Sequence, residues 1–387
     1  MSIVTYEARI GLEIHVQLLT KTKVFCGCRN AFGDRPNENI CPVCLGYPGV
    51  LPALNREALL KAYGIARSLD CEIGRHIAFE RKNYFYPDLP KNYQISQYSD
   101  PIGRNGFFCA EIDGKRNVIG VREVHLEEDA GKMIHAGDVS LLDFNRTGTP
   151  LVEIVTQPDL TTPVAAEQFL EDFRNLVRFL KVSDGNMEQG SLRCDANVSV
   201  NRPGDGLGNK VEIKNLNSFK FLRNALVFEI QRQSALRSNG KDVKIETRLW
   251  NENRDCTEPM RAKESEDDYR YFPDPDLPLF LPDKEFLATV ETQLVEQPLV
   301  RRDRIEKQYS LSPTQAAFLV SDVGTVNFFE RTIAEGGDAS LTAKWLGADV
   351  RKHLNRRREA IEDCSLTPSR FASLMNMVET EKVSGKI

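Results

Sequence analysis

The sequence predicts an α+β fold with a largely antiparallel sheet, followed by a small all-helical domain. Three observations carry that expectation. Period-2 or continuous apolar runs recur through the first three quarters of the chain, separated by clusters of Gly, Pro, Asn and Asp. Three segments within that region carry apolar residues at helical spacing instead. The character then changes after the proline-rich, extended stretch 273–282, beyond which the chain reads as helical.

Strands are expected over residues 8–16, 116–121, 150–155, 197–200 and 210–213, where β-branched and apolar residues dominate. A helix is expected over 56–69. A second starts at Thr162, a good N-cap followed by Pro163, and continues amphipathically to Leu180. A third covers 218–238. Few helices among many strands is the pattern of an antiparallel α+β domain. Farther on, Ser312-Pro313 places proline at a helix start, and Thr342-Ala-Lys-Trp and Thr367-Pro-Ser-Arg repeat that style. The expected division is therefore 1–292 and 293–387, with the last residues not reading as a finished domain end.

The chain has 387 residues, 28% of them charged, and a formal net charge of −5, so its surface as a whole is not a general nucleic-acid binder. Any RNA contact must come from local basic patches. No apolar run approaches the ~18–20 residues that span a bilayer, and the first residues lack a secretory pattern. Nine cysteines without such a signal point to reduced thiols, metal binding and a cytoplasmic location, with no membrane partner.

Four of those cysteines are grouped. Cys26-Gly-Cys28 and Cys41-Pro-Val-Cys44 have the spacing of a tetrahedral Zn²⁺ knuckle, with Gly27 and Pro42 letting the ligand loops curl. Four thiolates leave no open position, so the zinc is structural. Cys71, Cys109, Cys194, Cys256 and Cys364 are isolated and read as small buried residues.

The densest acid run is His125-Leu-Glu-Glu-Asp-Ala-Gly-Lys132. Two other segments set acids or a histidine among strand formers, Gly11-Leu-Glu-Ile-His-Val-Gln17 and Ser191-Leu-Arg-Cys-Asp-Ala-Asn. Alternation puts Glu13 and His15 on one strand face, and Glu127 with His125 opposite Glu128 with Leu126. Glu153 interrupts an otherwise apolar strand, where an unpaired carboxylate is costly, and Asp195 opens another. Taken singly, each reads as solvent-facing or ion-paired. Together they read as a site for a hard cation, Mg²⁺ shared with phosphate.

No P-loop or dinucleotide glycine motif is present, so a nucleotide would be held through metal and side-chain cations. The stretch 81–98 interleaves cations with aromatics. Lys82 and Lys91 suit phosphate, while Tyr84, Tyr86 and Tyr93 suit stacking on bases or ribose. Residues 260–273 look similar. The basic run 351–358 reads as a solvated face or an RNA-backbone contact.

Taken in order, these motifs resemble one family. They include Gly11-Leu-Glu-Ile-His-Val, Tyr47-Pro-Gly-Val-Leu-Pro, Arg81-Lys-Asn-Tyr-Phe-Tyr-Pro-Asp, His125 to Lys132, Asp143-Phe-Asn-Arg-Thr-Gly-Thr-Pro, Lys214-Asn-Leu-Asn-Ser and Asp268-Tyr-Arg-Tyr-Phe-Pro. The chain is similar, from about residue 8 onward, to the B subunit of the aspartyl/glutamyl-tRNA amidotransferases. It lacks the insertion of the archaeal sister protein.

The resemblance implies a cradle-like domain related to glutamine synthetase, then a helical domain. It implies a ligase that uses ATP and Mg²⁺ to phosphorylate the side-chain carboxylate of Glu-tRNA(Gln) or Asp-tRNA(Asn). Ammonia from glutamine then displaces the phosphate. In the family an amidase, the A subunit, delivers that ammonia, and a small C subunit belts the heterotrimer together. By the same resemblance the Mg²⁺ ligands are Glu13, His15, Glu127, Glu128, Glu153 and Asp195. Glu13, His15, Lys82, Tyr84, Lys91 and Glu128 are the catalytic set, the lysines steadying phosphate charge. The zinc cysteines mark one branch of the family, and the usual tRNA-gripping tail domain is expected to be missing. The alternatives are a non-catalytic, zinc-stabilised tRNA-binding scaffold and a Mg²⁺ phosphohydrolase.

Overall fold

The computed structural model describes residues 6–260 and 266–383. Part of the 260–273 aromatic stretch and the final residues 384–387 lie outside the described residues. The chain divides into two compact units, Met1–Leu294 and Val295–Ile387.

Among the described residues the first unit holds fourteen strands. They are β1 (Glu7–Gln17), β2 (Glu72–Ile73), β3 (Glu80–Asn83), β4 (Tyr93–Ser96), β5 (Gly103–Ile112), β6 (Lys115–Glu128) and β7 (Lys132–Ala136). The rest are β8 (Val139–Asp143), β9 (Pro150–Thr156), β10 (Leu192–Asn201), β11 (Val211–Lys214), β12 (Glu246–Asn251), β13 (Cys256–Pro259) and β14 (Phe272–Pro273). Nine form one sheet in the order β13-β12-β11-β10-β1-β9-β6-β5-β2. Every pair in it is antiparallel except β11–β12. A three-stranded sheet β14-β3-β4 and a β7-β8 hairpin stand apart from it.

Strand β1 shows why the sheet has two unlike faces. Ala8, Ile10, Leu12, Ile14 and Val16 alternate into the core, while Glu13, His15 and Gln17 take the other side and are only half-buried. Val152, Ile154, Leu192, Ala196, Val198, Val124 and Leu126 extend the apolar face across neighbouring strands. Three helices cover it: α1 (Arg56–Ser68), α2 (Pro163–Phe179) and α3 (Phe219–Ser238). Helix α2 packs on β5 and on α3, and α3 packs on β10. Their starts are those the sequence announces. The Thr162 and Ser218 side chains accept from the Ala165 and Phe221 amides, and Asn55 caps α1. Helix α4 (Lys284–Gln293) follows the extended segment and packs on α1.

The second unit is helical: α5 (Pro298–Tyr309), α6 (Pro313–Leu319), α7 (Val323–Ala334), α8 (Ala339–Trp345), α9 (Arg351–Arg357) and α10 (Pro368–Glu379). Ser312 and Gln315 form a capping box, and Thr367 caps α10 ahead of Pro368. One expectation is corrected. Thr342 does not start a helix; Asp338 caps α8, and Thr342 is buried within it. A buried threonine can face the core on a helix when its neighbours at helical spacing do the same, so the Thr-Ala-Lys-Trp run was ambiguous. The basic run is helix α9 and the residue beyond it, largely exposed. Among the described residues no helix is long and apolar enough to cross a membrane.

Candidate functional site

The polar face of the nine-stranded sheet gathers acids from four strands. Register does this directly: His15 lies opposite Glu153 on one side and Arg193 on the other, Glu13 lies opposite Asp195, and His125 lies opposite Glu153. Directly opposed residues share a face, so segments far apart in sequence meet there.

Strand β6 reaches this face only through an irregularity. Its pairing to β9 shifts between Val121 and Glu123, one extra residue in the strand. Ile119 and Val121 face the core before the shift, and Val124 and Leu126 face it after. The bulge flips the alternation, so Glu123, His125 and Glu127 point to the polar face. Strict alternation continued from Ile119 would have buried Glu127 in the apolar core.

Glu13, His15 and Glu153 are the tightest group, with ligand atoms within 4.8 Å of one another. His15 Nε2 stands 3.4 Å from Glu153 Oε2 and 3.6 Å from Glu13 Oε1. Burial opposes a charge on His15, but the hydrogen bond and charge of Glu153, with Glu13 behind it, raise its basicity. Burial likewise disfavours the Glu153 carboxylate, and His15, His125 and Lys82 outweigh it and hold that group low. Glu13 moves the other way: burial, then Glu153, push it up. The imidazolium thus supplies a cation among carboxylates that would otherwise repel.

Glu127 adjoins this trio. Burial and then Glu153 raise its carboxyl to about 7, and Ser96 Oγ donates to it at 3.0 Å. Asp195 is held by Lys214, whose Nζ is 2.7 Å from Oδ2. Lys82 lies over the Tyr269 ring at 4.7 Å and the Tyr84 ring at 5.9 Å, and its charge reaches Glu127 and Glu153. Burial first, then Glu127, push the Tyr84 hydroxyl upward. Tyr86 is exposed, and Tyr93 instead stacks under the Arg81 guanidinium at 4.3 Å.

Glu128 is the sequence-derived ligand that the structure separates from the trio. One residue past Glu127, it takes the core-side phase and is 2% exposed. Lys91 pairs with it, and the Ile95 amide donates to it at 2.9 Å. Lys91 and Glu128 therefore form a centre of their own beneath the polar face.

Several members of the site were missed in the sequence. Arg193 donates to Asp129 Oδ2 at 2.8 Å, and Gln17 donates to the same oxygen at 2.7 Å. Alternation from Asp195 and His15 would have found both. Lys214 needed the β10–β11 register. Asp129 and His125 hold the wall together: the ring Nδ1 of His125 lies 2.7 Å from the Gln97 carbonyl oxygen.

The cysteines converge as their spacing implies. Cys26, Cys28, Cys41 and Cys44 bring their sulfurs within 4.8 Å of one another. The Cys41 amide donates to Cys44 Sγ at 3.2 Å. The hydrogen bond from Cys26 lowers the Cys44 thiol, which favours the thiolate form that a metal ion takes. This set fits a structural metal ion. Lys23, fully buried, was not foreseen: its Nζ reaches the Asn39 carbonyl at 2.7 Å, the Phe144 carbonyl at 3.4 Å and Cys44 Sγ at 3.7 Å. It fastens the cysteine loop to the turn before β9. Of the other five, also free, Cys71 and Cys194 are buried as expected, while Cys109, Cys256 and Cys364 are only half-buried, a correction to the sequence reading.

Comparison with known proteins agrees with this layout. The GatB/GatE catalytic domain family matches residues 8–288, and a GatB domain model matches 327–387. The B subunit of an aspartyl/glutamyl-tRNA(Asn/Gln) amidotransferase from Rippkaea orientalis is 47% identical over 99% of this chain and 80% of its own length. Proteins of the same name from Carboxydothermus hydrogenoformans and Geobacillus kaustophilus are 45% and 46% identical, each over 99% of this chain and 81% of their own. With a catalytic-domain match across most of its length and relatives this similar over nearly all of it, the chain belongs to the GatB/GatE family.

Proposed function

We propose that this chain is the B subunit of a tRNA-dependent amidotransferase, the component that activates a side-chain carboxylate for amidation. The observation that carries this reading is the Glu13–His15–Glu153 trio, flanked by Glu127 and Asp195, on an otherwise polar sheet face. A tRNA-binding scaffold has no use for converging, half-buried carboxylates.

The oxygen-rich donor set suits Mg²⁺. Glu13, His15, Glu127, Glu153 and Asp195 are the proposed holders. When bound, the ion screens and aligns the ATP phosphates and the substrate carboxylate. Lys82, Lys214 and Arg193 surround the face with positive charge and would steady the transferred phosphoryl group. Tyr84, with its hydroxyl kept protonated by burial and Glu127, can donate a hydrogen bond there. Transfer of the terminal phosphoryl group of ATP to the carboxylate releases ADP and gives an acyl phosphate, from which ammonia displaces inorganic phosphate to form the amide. Lys91 and Glu128 pair with each other on the core-side phase of β6, apart from the Glu13–His15–Glu153 trio. The substrates are Glu-tRNA(Gln), Asp-tRNA(Asn) or both. Ammonia comes from glutamine through a partner amidase, the A subunit, while a small C subunit completes the assembly in the cytoplasm.

The test is reconstitution with the A and C subunits, followed by phosphate release from ATP in the presence of charged and uncharged tRNA. Release should depend on the misacylated form and collapse in Glu153→Gln. Turnover that ignores the aminoacyl group, or survives that change, would overturn the reading.

A further inference from the structure

We propose that the four-cysteine centre, when it holds its metal, positions Lys91. The lysine's packing walls are the residues next to the metal ligands. Phe25 immediately precedes Cys26, and its ring centroid lies 6.0 Å from Lys91 Nζ. Gly46, two residues beyond Cys44, covers the stem. A β-carbon there would sit 2.5 Å from Lys91 Cγ and 3.1 Å from its Cα, closer than atoms pack. Gly46 also has φ +71°, a left-handed conformation that ends the Cys41–Cys44 turn.

The lysine is thus packed between two segments of chain, one running into Cys26 and the other out of Cys44. Its side chain is 5% exposed, although a long ammonium side chain ordinarily reaches water. A cavity of about 30 Å³ lies beside the pair, lined by Cys26, Cys44 and Gly46 on one side and by Lys91 and Glu128 on the other. Two of the metal-binding cysteines, Cys26 and Cys44, thus border the same cavity as Lys91 and Glu128. Removing the ion would loosen the Gly46 wall on the Cys44 side, while Phe25 stays anchored by its packing on Phe79 and the hydrogen bond from the Ala53 amide to its carbonyl. Glu128 would keep its place, since the Ile95 amide and the Gln94 side chain fasten it independently through β4. The metal therefore sets where the ammonium stands relative to a fixed carboxylate. Lys91 and Glu128 are not ligands of the centre; they are what it holds in register. This inference stands on packing alone and not on the proposed amidation chemistry.

The experiment is lysine footprinting of the full chain with an amine-acylating reagent, read by mass spectrometry. Zinc-loaded protein, chelator-stripped protein and zinc-loaded Gly46→Ala are compared, with circular dichroism on each. Lys91 should be protected in the first and at least tenfold more reactive in the other two, while exposed Lys115 reacts equally in all three. Equal protection of Lys91 with and without zinc in folded protein would overturn the proposal. If stripping unfolds the chain, the zinc-loaded Gly46→Ala arm decides: a reactive Lys91 supports the proposal and a protected one overturns it.

Discussion

The two candidate metal centres are built on opposite plans. The cysteine centre is local: its four ligands span residues 26–44 and close through turns. The acid centre is distributed. Its members come from β1, β6, β9 and β10 and meet only because sheet register places them side by side. A local centre can form with little help from the rest of the chain, and its loss is felt mainly in stability. A distributed centre exists only in the finished sheet. It also gathers like charges at a cost to stability that function must justify.

Substitutions separate the two. The largest effect is expected in the acid centre: Glu153→Gln should lower tRNA-dependent phosphate release by at least ~100-fold, the scale for losing one preorganised electrostatic group. Its melting temperature should fall only modestly, because His15, His125 and Lys82 favour the ionised Glu153 that the variant removes. A large fall in stability instead would make Glu153 a structural acid.

Asp129 marks the border between the plans. It stands beside the acid centre but is fully paired. Burial pushes its carboxyl up, and Arg193, Arg146 and Gln17 together outweigh burial and hold it below its usual range. Breaking such a buried pair costs about 3–5 kcal/mol, so Asp129→Asn should be strongly destabilised in denaturant titrations. The pH sign follows from the depressed value. The stabilisation is complete above the unfolded-state carboxylate pKa and is lost as pH falls through the lower folded value. Wild type should therefore lose stability on acidification more steeply than the variant.

The cysteine centre should show the complementary behaviour. Cys44→Ser, or chelation, is expected to cost ~1–3 kcal/mol in thermal or denaturant unfolding, while Cys256→Ser changes little. Equal effects from the two cysteines would remove the case for a metal. The smallest expected change lies in the apolar layer that supports both centres. Tyr63 is buried in α1 with no partner for its hydroxyl among the described residues. Tyr63→Phe should then shift stability by no more than about 1 kcal/mol, in the stabilising direction, because an unsatisfied polar atom is removed.

Legibility followed the same divide. Helices α1, α2 and α3 came within a residue or two of expectation because their caps are written next to their apolar stripes. The four-cysteine cluster was readable because ligand spacing is itself the geometry. The acid centre was readable as a set, since Glu13, His15 and Glu153 sit conspicuously in apolar strands. Its composition was not. Glu128 was grouped with Glu127 because the two are adjacent and family likeness joined them. Alternation separates them, and the bulge at β6 decides which one faces the polar side. Arg193 and Gln17 carry no motif and become visible only through their strand neighbours.

The sequence by itself determined the α+β character, the helix starts, the cysteine centre and the inventory of acids, because each depends on contacts within a turn or a single strand. Only the tertiary structure decided which acids meet, that Glu128 pairs with Lys91, and that the cysteine loop walls in that lysine. Those outcomes depend on strand register and on one extra residue in β6, which are settled by packing the whole sheet against its helices and by nothing in any one segment.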